Sequence, residues 1–100
     1  MAVTQVTRWT TPNIAASTTN SKRAKAFWTK HGALDLRLSQ IFTGPSTGHY
    51  IVSIMYSDMA SFAKVSAAGA ADPEHQKIIA QNAKDGAVLQ EREILIGIDL

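Results

Sequence analysis

The sequence predicts an α+β domain in which a four-stranded antiparallel sheet carries its helices on one face, in the order β-α-β-β-α-β. Three observations predict it. Residues 34–57 contain two strand patterns, LDLRLSQIF and HYIVSIMYS, joined by the Gly/Pro/Ser/Thr loop TGPSTG. A helical pattern flanks this hairpin on each side. Beyond each helical pattern lies one further strand pattern rich in β-branched residues.

In chain order, Val3 to Thr10 reads as the first strand, with Val3, Gln5, Thr7 and Trp9 on one face and Thr4, Val6, Arg8 and Thr10 on the other. Neither face is cleanly polar, which suits a central strand. Ser17 to Ser21 offers several N-cap side chains. The helix that follows runs to about His31, because Ala24, Phe27, Trp28 and His31 share one helical face and Gly32 is suited to the position after the last turn. In the hairpin's first strand Leu34, Leu36, Leu38 and Phe42 form the apolar side, the pattern of a half-buried edge. Its second strand is apolar on both faces, the pattern of a central strand.

Asp58 caps the next helix, whose stripe includes Phe62 and Val65. Asp72-Pro73-Glu74 supplies an N-cap, an N1 proline and an acidic first turn, so a break and a second helix over 73–84 are expected there. The last strand, Val88 to Ile98, is long for a domain of this size.

At 100 residues the chain is one domain, residues 1–100. The net charge of +2 is too small to drive binding to nucleic acid or a membrane. There is no cysteine, which removes disulfides and thiolate chemistry and fits a cytoplasmic location. No apolar run reaches the roughly 20 residues of a membrane span. The N-terminal segment MAVTQVTRWT lacks the features of a signal peptide and reads as part of the fold.

Two β-α-β units in series, with right-handed crossovers, place the helices on the same side of a ferredoxin-like sheet. The opposite sheet face is then bare. It mixes apolar with charged residues, and a homodimer with two sheets face to face resolves that mixture. Arg37, Glu91, Glu93 and Leu95 are the expected interface residues. The sequence leaves open which parity faces the helices.

The order of elements resembles that of the dimeric α+β barrel superfamily, which includes antibiotic-biosynthesis monooxygenase-like and NIPSNAP-like small domains. The residues that carry the resemblance are Ala24-Lys25-Ala26-Phe27-Trp28 before His31-Gly32-Ala33, then Gly44 to Tyr50, Tyr56-Ser57-Asp58-Met59 and Asp72-Pro73-Glu74. The resemblance implies a homodimer. It transfers no catalytic residues, because these families share a fold while their chemistries diverge.

His49, at the start of the hairpin's second strand, is the candidate general base. A cavity between helices and sheet, lined by Trp9, Trp28, His31, Tyr50 and Tyr56, would suit a flat, moderately apolar ligand, with Arg8 and Gln40 orienting a carbonyl or carboxylate. The three histidines show no metal-binding spacing, and no phosphate loop feeds a helix, so neither a metal nor a cofactor is expected. Thr47-Gly48-His49-Tyr50-Ile51-Val52 lacks the leading basic residue of an RNA-recognition strand. Three readings remain: a homodimer that binds a small, partly aromatic molecule, a cofactor-free monooxygenase- or isomerase-like enzyme, and a structural or protein-interaction dimer.

Overall fold

The computed structural model describes residues 1–100. Its elements are β1 (Val3–Thr10), α1 (Ile14–Lys30), β2 (Asp35–Gln40), β3 (Tyr50–Tyr56), α2 (Met59–Ala71), α3 (Pro73–Lys84) and β4 (Val88–Ile96). The four strands form one antiparallel sheet in the order β2-β3-β1-β4. β1 and β3 are central, as their two-sided patterns predict, and β2 is an edge. The chain from α2 to α3 breaks at Asp72-Pro73, so the order is β-α-β-β-α-α-β. None of the helices is long and apolar enough to cross a membrane.

The parity left open by the sequence is resolved by burial. Val3, Ile54, Tyr56 and Leu36 point to the helices and pack with Ala33 and Val65 in the core. Alternation then assigns Gln5, Thr7, Trp9, Leu38, Tyr50 and Val52 to the same face. Thr4, Val6, Arg8, Arg37, Ser39, Ile51, Ser53 and Met55 belong to the other. On β4 the register slips by one residue: Arg8 pairs with Glu91 but Trp9 pairs with Leu89. Gln90 is the extra residue of this bulge, and its side chain donates to Thr10 Oγ1 at 3.0 Å.

Several boundaries differ from the sequence expectation, and β3 spans Tyr50–Tyr56, inside the expected pattern from His49 to Ser57. α1 starts at Ile14, because Asn13 Oδ1 accepts from the Ala16 N–H at 3.0 Å and caps the helix before Ser17 is reached. The hydroxyls expected to cap are used otherwise: Ser17 meets Thr11, and Thr19 donates back to the Ala15 carbonyl. β2 is shorter than its apolar pattern, with Leu34 and Phe42 outside the strand and exposed, Phe42 almost fully. β4 ends at Ile96, not Ile98.

Asp72 ties three elements together. Its carboxylate accepts from the Glu74 N–H at 3.0 Å, from His31 Nε2 at 2.9 Å and from Lys30 Nζ at 3.3 Å. The Glu74 N–H is the largest cause, followed by His31 and Lys30, and together they hold the carboxyl down to about 2. A carboxyl lowered in the folded state stabilises the fold above its unfolded value of about 3.9, and that contribution is lost as pH falls toward the folded value. Asp72→Ala is therefore expected to melt below the parent at pH 7. The gap should close between about pH 4 and pH 2, as read by thermal melts across that range.

Candidate functional site

A cavity of about 600 Å³ lies between the inner sheet face and the three helices. A volume of this order holds a small organic molecule. The twisted sheet supplies one wall with Thr7, Trp9, Tyr50 and Val52 at its centre. The helices supply the other with Asn20, Ala24 and Trp28 from α1, Phe62 and Ser66 from α2, and His75 and Ile78 from α3.

Several polar groups in this lining have a defined setting. Thr7 is buried; its hydroxyl donates to the Val52 carbonyl at 3.4 Å and accepts from Trp9 Nε1 at 2.9 Å, which fixes the indole. The Tyr50 hydroxyl accepts from Gln40 Nε2 at 3.4 Å. Asn20 is buried and spends both amide hydrogens on α3, donating to the Ile78 carbonyl at 3.1 Å and to Asn82 Oδ1 at 2.6 Å. Its own Oδ1 has no partner. His75 stacks on Phe27 and meets the edge of Trp28, and its Nδ1 is buried without a partner. Arg92 reaches the cavity from β4 because the bulge at Gln90 puts it on the helix-facing side with Ile94.

The sequence-predicted residues divide between this cavity and other places. Trp9, Trp28 and Tyr50 line it, and Gln40 touches it through Tyr50. Tyr56 lies deeper, fully buried and edge-on to Phe62 in the core, where burial pushes its phenol up. His31 does not line the cavity: it is committed to Asp72 and packs against Phe27. Arg8 is on the opposite sheet face, since its parity is that of Thr4 and Val6. There its guanidinium donates to His49 Nδ1 at 2.8 Å and to Glu91 at 3.2 Å. This bond makes His49 Nδ1 an acceptor in the neutral ring and leaves the proton on Nε2. His49 thus belongs to the same outer cluster and not to the cavity lining.

Asn20, His75 and Arg92 are absent from the expected site residues, although the sequence carries a signal for the first two. Asn20 precedes Ala24 and Trp28 at four-residue spacing on one helical face. His75 shares a face with Ile78, Ile79 and Asn82. Arg92 needs the bulge, which alternation alone does not reveal. No three His, Asp or Glu side chains converge as a metal site.

On the outer face, Arg37 pairs with Asp35 on its own strand at 3.1 Å, and Glu91 pairs with Arg8. Glu93 makes no ion pair, and Leu95 is half exposed beside it in the strand's alternation. All nine residues of β4 are exposed.

The fold matches solved structures over nearly its full length. SnoaB from Streptomyces nogalater, a cofactor-independent oxygenase, superposes with a TM-score of 0.70 at 16% identity, covering 99% of this chain and 95% of that one. A NIPSNAP-like domain protein from Burkholderia xenovorans gives 0.64 at 14% identity, covering 97% and 85%. A dimeric ferredoxin-like protein from an uncultured marine organism gives 0.54 at 14% identity, covering 98% of both chains. At these identities the likeness concerns the fold, and it sets the chain among the small ferredoxin-like α+β domains. The chain belongs to the family described as a domain of unknown function, DUF6854, whose model matches residues 1–94. No curated protein sequence matches it.

Proposed function

We propose that the protein is a homodimeric α+β barrel that binds a small, partly aromatic molecule between its helices and its sheet. The cavity carries this reading. Its two indoles and the Tyr50 ring offer flat apolar surfaces, while the unpartnered Asn20 Oδ1 and His75 Nδ1 mark polar groups in its walls. A buried polar atom without a partner costs free energy, and a ligand that bonds to it removes that cost.

The homodimer rests on the outer sheet face. The molecule is a slab of 36 × 35 × 17 Å with only 11 of 100 residues buried. Its accessible surface of 6157 Å² exceeds the roughly 5,500 Å² typical of a monomer of 10.8 kDa. Val6, Ile51, Met55 and Leu95 are apolar on that face, and Glu93 offers a charge without an ion pair to a second copy. The marine ferredoxin-like neighbour is itself described as dimeric.

The alternative is a cofactor-free enzyme, as the oxygenase SnoaB is. Binding is favoured over it because the two histidines bonded to charged partners, His31 and His49, lie outside the lining. The test is a titration with 2-naphthalenemethanol followed by tryptophan emission, with light scattering after size exclusion on the same sample. Both tryptophans line the cavity. A saturable change with one site per chain, in a species of twice the 10.8 kDa chain mass, is expected. A linear response contradicts binding, and a monomer at micromolar concentration contradicts the barrel.

A further inference from the structure

We propose that the ligand of this cavity is a planar, partly aromatic carboxylate, and that Arg92 binds its anionic oxygens. The proposal rests on the binding reading above and adds the chemical class of the ligand.

The lining contains one permanent charge. Arg92 is the only Lys, Arg, Asp or Glu among the lining residues. Its guanidinium makes no ion pair and no side-chain hydrogen bond within the chain. The neighbouring acids on β4 do not serve it. Glu91 and Glu93 lie on the outer face by alternation, paired across the strands with Arg8 and Val6, and Glu91 is held by Arg8 at 3.2 Å. The other acids near the helices are occupied as well: Asp72 by His31 and Lys30, Glu74 by Arg23. His75 is the remaining titratable nitrogen base in the lining.

An arginine cannot shed its charge to suit an apolar site. Most of this lining is apolar or aromatic, and Arg92 brings an exposed guanidinium with free donors to it. A neutral ligand leaves that cation without a counter-charge. A carboxylate accepts two parallel N–H bonds from the planar fork and neutralises the charge at once. The bulge at Gln90 has the same sense: without the extra residue, continuous alternation from Leu89 would not bring Arg92 opposite Thr7 on the cavity side. Trp9, Thr7 and Tyr50 then form the floor along which the ring system lies.

The test compares 2-naphthoate with the neutral 2-naphthalenemethanol on the full chain and on Arg92→Gln and Arg92→Lys. Naphthoate is expected to bind at least tenfold more tightly than the alcohol to the parent protein, with an advantage that shrinks as salt is raised. Arg92→Gln is expected to abolish that advantage, and Arg92→Lys to restore part of it. Thermal melts confirm that the variants are folded, as Arg92 holds no side-chain bond in the chain. If the two probes bind equally, or if naphthoate keeps its advantage in Arg92→Gln, the proposal is overturned while the cavity still binds. If neither probe binds, the binding reading falls and takes the proposal with it.

Discussion

Gly69→Val is expected to lower stability by about 1–3 kcal/mol, the cost of overpacking a close-packed contact. For a domain of this size that corresponds to a melting point roughly 4–8 °C lower per kcal/mol. Gly69 is buried within α2, directly against the Trp28 ring of α1. A Cβ added there falls inside the ring's van der Waals envelope, closest to Cζ3 and 2.6 Å from Cη2. Glycine inside a helix carries a penalty of about 1 kcal/mol relative to alanine, so Gly69→Ala sets a propensity gain against the same clash. The alanine variant should therefore lose less than the valine variant. Relief of the clash requires the indole to move, and because Trp28 lines the cavity its emission and the space for a ligand should both change. Trp28→Phe in the Gly69→Ala background should recover part of the loss, a non-additivity that a distant pair would not show.

Asn20→Ala is expected to cost about 2 kcal/mol, and Asn20→Asp more. The alanine loses two hydrogen bonds to α3, each contributing about 0.5–1.5 kcal/mol, and leaves Asn82 Oδ1 without its donor. The aspartate has nearly the same shape but offers acceptors where the Ile78 carbonyl and Asn82 Oδ1 already present oxygens. It also buries a charge without a cation beside it. Chemical denaturation of the three proteins at pH 7 checks the order parent, alanine, aspartate. A result with alanine and aspartate equal would mean that the amide's donors do not hold α1 to α3.

These two positions also mark where the sequence was informative and where it was not. The sheet order followed from the strand patterns: two-sided strands became the centre, and the alternating Asp35–Gln40 segment became an edge. Asp72-Pro73-Glu74 signalled a helix start through local chemistry, because cap, N1 proline and acidic first turn lie within three residues. The start of α1 was less legible, since Asn13 and the hydroxyls of Ser17 to Ser21 compete and only geometry decides which side chain faces a free N–H. Trp9, Trp28 and Tyr50 line the cavity as expected of aromatics with a polar handle, whereas Tyr56, expected beside them, packs in the core. Arg8 and His49 were misplaced relative to the cavity because parity sends them to the outer face, where they bond to each other. Arg92 escaped notice because a one-residue bulge reverses the alternation on β4, and a bulge is a property of two strands in register rather than of one. Nothing local marks Gly69; its role depends on a ring more than forty residues earlier in the chain.

The outer face follows the same division. That one sheet face mixes Leu95 with Arg37, Glu91 and Glu93 was legible; that Val6, Ile51 and Met55 share it was not, because the sequence leaves the parity open. The pairing of its charges was not legible either. Arg37 is already engaged by Asp35, whose carboxyl lies below its usual range because of Arg37, the Leu36 N–H and Lys25. Glu93 makes no ion pair in its own chain, whereas Arg37 and Glu91 each make one.

The space between helices and sheet is the proposed binding site. Its most direct test is a residue-resolved map: ¹⁵N–¹H correlation spectra of the protein recorded with and without saturating 2-naphthalenemethanol. The shifts are expected to concentrate at Thr7, Trp9, Tyr50 and Val52 on the sheet and at Asn20, Trp28 and His75 on the helices, with both indole N–H signals among the largest. Shifts confined to the outer-face residues Val6, Ile51, Ser53 and Leu95, or no shifts at all, would contradict it.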